Sequence, residues 1–111
     1  MRNPFAKYLG VFIFCAASMS HAAMETGNTL KQKCGGAGIT EGVCIGYIEG
    51  VADVLSSGTV LHGFKACFPV DLITGQLLDV VKNWIERNPE KLHYSAPGLV
   101  ASALSSAFPC K

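Results

Sequence analysis

Several common kinds of chemistry lack their residues in this chain of 111 amino acids. No CxxC or HxxxH pair occurs, so the compact spacings of zinc sites are absent, and His62 and His93 are isolated. The serine cluster Ser102, Ser105 and Ser106 has no histidine nearby in sequence, and a nucleophile with its base is the minimum for most hydrolytic sites. Neither a metal nor any other cofactor is expected. Past the N-terminal stretch no apolar run approaches the roughly 18 residues that a membrane-spanning helix needs. There is no internal repeat, no low-complexity tract and no second domain. Strand-like alternation is missing, apart from a weak hint in Thr59–Phe64. An excess of positive charge is missing too, with nine Lys and Arg against eight Asp and Glu.

The N-terminus carries an export pattern. Arg2 and Lys7 precede the apolar run Tyr8–Ala17, and Ser20-His21-Ala22 supplies small residues for cleavage. Cys15 follows Phe14, where a lipoprotein signal needs a small residue, so Cys15 is read as part of the leader. Residues 1–22 are therefore expected to be a signal peptide and 23–111 the mature domain, delivered to the periplasm. Loss of Arg2 and Lys7 leaves seven basic against eight acidic residues, a net charge of −1. That balance argues against a nucleic-acid or anionic-membrane partner. Four cysteines remain, Cys34, Cys44, Cys67 and Cys110. An even number in a small exported chain predicts two disulfides.

The most strongly patterned stretch is Cys44–Asp53. Ile45, Ile48, Ala52 and Leu55, and beside them Cys44, Tyr47, Val51 and Val54, recur at helical spacing. Such a helix is apolar over more than half its circumference and is expected to be the centre of an all-α bundle. Gly46 and Gly50 lie one turn apart within it. Each costs roughly 1 kcal/mol relative to alanine, and close approach of another backbone is the expected compensation.

Three further helices are expected around it. The first runs from about Met24 to Cys34, capped by Thr26 or Asn28, and Gly35–Gly38 ends it. The central helix starts at a Thr40 cap and stops at Ser56-Ser57-Gly58. Thr59–Pro69 is an irregular segment whose Val60, Leu61, Phe64 and Phe68 are expected to strap it across the core. The third helix is capped by Thr74 and carries the stripe Leu77, Leu78, Val81, Trp84 and Ile85, with Asn88-Pro89 ending it. Ser95 caps the fourth, whose stripe is Leu99, Val100, Ala103, Leu104, Ala107 and Phe108. The fold class is therefore all-α, a small single-domain bundle of about four helices stapled by two disulfides.

Two disulfide connectivities remain open. Up-and-down packing favours Cys34–Cys44 with Cys67–Cys110. An extended Thr59–Ala66 could instead run back along the central helix, since eight residues reach about 26 Å. That would pair Cys44 with Cys67 and Cys34 with Cys110.

Two surface features are candidates for recognition. Asn88–Ser95 is a tip held between Pro89 and the Ser95 cap, and it displays Glu90, Lys91, Leu92, His93 and Tyr94. Aromatic residues on a rigid loop are typical interface anchors. Glu49 and Asp53 are i, i+4 on the central helix, so their carboxylates share a face. Such a pair can do acid–base work; a solvated edge or a cap for a neighbouring helix end is the favoured reading, and an edge kept for a cationic partner is the other.

Taken in order, Leu30…Cys34, Cys44-Ile-Gly-Tyr-Ile-Glu-Gly-Val-Ala-Asp53, Cys67-Phe-Pro69, Gln76-Leu77 with Val80-Val81, Asn88-Pro-Glu90 and Leu99-Val100…Ala103-Leu104…Ala107-Phe-Pro-Cys110 resemble the Rap/Tai family of periplasmic immunity proteins. The resemblance spans Met24 to Cys110. It implies a small all-α, non-enzymatic protein, often a homodimer, that neutralises a cell-wall amidase delivered by type VI secretion. The implied partner is a cognate amidase toxin, blocked by occlusion of its cleft. The shared residues are fold determinants, so the resemblance transfers no inhibitory residue. The residues expected to touch the toxin are Glu90, Lys91, Leu92, His93 and Tyr94, with Glu49 and Asp53 secondary. The alternative is a small periplasmic stress chaperone of the acid-activated type. Eight carboxylates in the whole chain are few for such a switch.

Overall fold

The computed structural model describes residues 24–111, so the expected leader at 1–22 lies outside the described residues. Four α-helices form the domain: α1 Gly27–Cys34, α2 Ile39–Ser56, α3 Thr74–Arg87 and α4 Ala96–Ala107, with a short 3-10 turn at Pro89–Lys91. Among the described residues the only β pairing is two isolated bridges, Thr26 with Ser95 and Leu61 with Phe64. No described helix is long and apolar enough to cross a membrane.

The expected central helix is central. α2 packs against each of the other three helices. It buries Cys44, Ile48, Val51, Ala52 and Leu55, while Ile45 and Tyr47 lie at the core's edge and Val54 faces solvent. α3 inserts Leu77, Val81 and Ile85, and α4 inserts Leu99, Val100, Ala103 and Leu104. Leu30, Ile48, Leu55 and Leu104 are fully buried, each worth roughly 2–3 kcal/mol over an exposed position.

The helix starts differ in detail from expectation. α1 has its Thr26 cap, and Thr26 and Thr29 exchange side-chain-to-backbone bonds. α2 begins at Ile39 after Gly38, whose φ of 63° turns the chain without a side-chain cap. Thr40 is thus inside the helix. α3 is preceded by Ile73, whose N–H donates to Gln76 Oε1, and Thr74 is its first residue. Ser95 precedes α4 as expected, but its side chain makes no capping bond.

The disulfides are Cys34–Cys44 and Cys67–Cys110. The competing pairing needed an extended Thr59–Ala66. Instead Leu61 and Phe64 exchange two backbone hydrogen bonds at 3.0 and 2.9 Å around His62 and Gly63, with φ of 50° and 83°. This is the positive-φ geometry of a two-residue hairpin turn. It consumes the reach that Cys67 would have needed to meet Cys44. Ala66 is buried with Leu61, Phe64 and Phe68 partly so, which keeps the segment against the core as expected, but Val60 is exposed and takes no part. Cys67 N–H donates to the Phe108 carbonyl, and the Phe68 ring meets Phe108 edge-on.

The glycines overturn one expectation. A Cβ built at Gly46 or Gly50 meets nothing within 4 Å, and both face solvent. Among the described residues no neighbouring helix approaches them. The close approach is at Gly27, where a Cβ would stand 2.8 Å from the Leu92 Cα and 2.9 Å from its carbonyl oxygen. Three backbone hydrogen bonds seal this contact: Gly27 N–H to the Tyr94 carbonyl, Asn28 N–H to the Leu92 carbonyl, and Ala96 N–H to the Glu25 carbonyl. They satisfy N–H groups at the starts of both α1 and α4, which their helices leave unpaired.

Glu25 secures the same contact from beneath. Its residue is only 8% exposed, and Lys33 Nζ donates to its Oε2 while Oε1 has no partner. Burial pushes its pKa up, but hydrogen bonds from Lys33 and Thr29 outweigh that and hold it below the ordinary value of 4.5. Nearby, burial and the Glu25 charge push the Tyr47 phenol pKa up.

Two outcomes are expected. In urea unfolding of dilute protein, Gly27→Ala loses about 1–3 kcal/mol through overpacking, whereas Gly46→Ala and Gly50→Ala each gain up to ~1 kcal/mol. The second concerns pH. A carboxyl whose pKa is depressed on folding stabilises above its unfolded value, and that stability is lost as pH falls through the folded value. Thermal midpoints should therefore drop below pH 4.5, the ordinary value for Glu25, and the drop should be smaller in Glu25→Gln.

Candidate functional site

The Asn88–Ser95 tip is built by the ends of three helices. α3 ends at Arg87, and Asn88 Nδ2 donates to the Trp84 carbonyl at 2.7 Å. Pro89 opens the 3-10 turn, whose fixed φ suits a first helical position. The chain then passes under the start of α1, where the bonds at Leu92, Tyr94 and Ala96 hold it. The tip is thus a braced segment.

Bracing sorts its side chains. Leu92 is only 3% exposed and belongs to the core, so it is not the surface anchor that the sequence suggested. The reason is the Gly27 contact, which draws the Leu92 backbone inward. Glu90, Lys91, His93 and Tyr94 stay exposed, Tyr94 at 58%. The His93 and Tyr94 rings lie 4.1 Å apart at a 36° tilt. Lys91 Nζ sits 5.7 Å from the Trp84 ring centroid, within cation–π range.

Beside the tip lies a groove of about 320 Å³ lined by His62, Phe64, Trp84, Lys91, Tyr94 and Gly98. His62 comes from the hairpin turn and packs on Gly98, where a Cβ would be 3.5 Å from its ring. Sequence reasoning left His62 as a lone loop residue and placed Trp84 in the core. Trp84 is half-buried and forms a groove wall. Two signals were present in sequence: the faint pairing hint in Thr59–Phe64, and a glycine inside α4.

Glu49 and Asp53 stand elsewhere. Glu49 Oε1 accepts a 2.8 Å hydrogen bond from Thr74 Oγ1, at the first residue of α3. That is the helix-end role weighed for it. The tip begins where α3 ends, and 14 residues of helix span about 21 Å. The two expected contact regions are therefore a helix length apart and do not form one patch.

All four described cysteines are in disulfides. Among the described residues no group of three His, Cys, Asp or Glu converges to hold a metal ion. The groove offers aromatic faces, an ammonium and a phenol, which are recognition groups.

Residues 26–110 match the family model described as Rap1a immunity proteins. No curated protein gives a significant match.

Proposed function

The chain belongs to the Rap1a immunity proteins, and from that premise we propose that it protects its cell by binding and occluding a type VI secreted amidase that cuts peptidoglycan. Family membership supports the immunity role and a non-catalytic mode of action. The observation that carries the proposal is the braced tip. Lys91, His93 and Tyr94 are exposed on a backbone already tied at Leu92, Tyr94 and Ala96. A preordered loop loses little entropy on binding, which favours tight complexes. Glu90 and Lys91 bring charge to the rim, and the His62–Trp84 groove beside them offers a pocket for a toxin side chain. A standard interface would bury roughly 800 Å² of this surface.

Self-association belongs to the same reading. Ile39, Val43, Gly46, Gly50 and Val54 recur at helical spacing along the solvent face of α2. Ile39 is 89% exposed, and nothing among the described residues covers the glycines. We assign this unpartnered face to contact with a second copy.

Periplasmic co-expression with secreted amidases encoded nearby should rescue growth, and failure to rescue from every one would sink the reading. Tyr94→Ala and Lys91→Ala should each weaken toxin binding by tenfold or more in calorimetry, with thermal midpoints little changed. Sedimentation of the wild type should show a dimer that Gly50→Arg converts to monomer.

A further inference from the structure

Two stretches of the chain, residues 34–64 and 66–81, contain no lysine or arginine. The fold brings them together. Between α2 and the segment leading into α3 lies a cleft of about 390 Å³. Phe68, Leu72 and Leu77 supply its apolar lining, with Ile73 64% exposed at the edge. Glu49 and Asp53 stand on its α2 wall.

One oxygen of Glu49 is engaged by Thr74 Oγ1. Asp53 is exposed, and neither carboxylate pairs with a cation among the described residues. The ion pairs there are Lys31–Glu86 and Lys33–Glu25, which occupy both α1 lysines. Like charges at i, i+4 repel, and no cation among the described residues relieves them. Apolar side chains beside carboxylates that lack a cationic partner match a side chain with an aliphatic stem and a cationic head.

We propose that this cleft docks a lysine or arginine side chain of a partner protein. Its stem lies on Phe68, Leu72 and Leu77, and its head sits between Glu49 and Asp53. The identity of the partner rests on the immunity reading, in which it is the toxin. The cleft lies at the start of α3 and the tip follows its end, 14 residues or about 21 Å of helix away, so the docked side chain makes a contact separate from the tip.

The test has two arms. In the first, n-butylguanidinium is titrated into the labelled protein by NMR, with neutral n-butylurea as control. The cation alone should shift the amides of residues 49, 53 and 72–74, and added salt should weaken the response. Glu49→Gln with Asp53→Asn should abolish it, while the glutamine amide oxygen still accepts from Thr74. Equal shifts with the urea, or a response retained in the double variant, would overturn the proposal. In the second arm the double variant should bind the toxin at least tenfold more weakly and with a flatter salt dependence. Unchanged toxin affinity would overturn the toxin as the source of the side chain. A wild-type dimer lost in the double variant would assign the cleft to a second copy and overturn it as well. If the unaltered protein binds no toxin, the immunity reading fails and the first arm alone judges the cleft.

Discussion

The close approach of Gly27 to Leu92 sets the geometry of the Asn88–Ser95 tip. With no side chain at Gly27, the α1 backbone comes near enough for its N–H groups to reach the Leu92 and Tyr94 carbonyls. Those bonds satisfy a helix start and brace a loop at once. They turn Leu92 into the core and leave its neighbours His93 and Tyr94 outside. Glu25 and Lys33 hold the incoming segment in place, at the cost of one unpartnered carboxylate oxygen. A buried oxygen without a partner is costly, so this end of the domain depends on the ion pair being intact.

The rest of the domain is a small core made adequate by cross-links. Eighty-eight described residues bury a modest apolar surface. Cys34–Cys44 closes a separation of 10 residues and Cys67–Cys110 one of 43. Loop-closure entropy makes these worth roughly 2.7 and 4 kcal/mol. Each clamps a region where helices alone do not suffice. The first ties the end of α1 to α2, and the second ties the chain end to the strap that carries His62. The bridges and α2 form the scaffold, while the polar and aromatic chemistry lies at the two ends of α3. A fold organised this way can vary its exposed side chains without disturbing its core.

Glu49 shows how one residue can belong to both layers. Its bond to Thr74 fixes the start of α3, and its remaining charge faces a cleft with no cation of its own. The helix-end role was weighed from spacing alone. The cleft was not visible there, because Phe68, Leu72 and Leu77 meet Glu49 only after the strap and α3 have packed.

Periodicity by itself determined the four helices, the hub role of α2, the core stripes and the presence of two cross-links. These depend on local spacing and on cysteine number, which a sequence displays directly. The connectivity, the burial of Leu92, the arrival of His62 and the openness around Gly46 and Gly50 were decided only in three dimensions. Each depends on a contact between segments distant in sequence: a hairpin turn that shortens the reach of Thr59–Ala66, or a glycine at position 27 that admits a carbonyl. A glycine in sequence shows that a backbone is free to come close. Only the packed structure decided that the backbone which came was at Gly27 and not at Gly46.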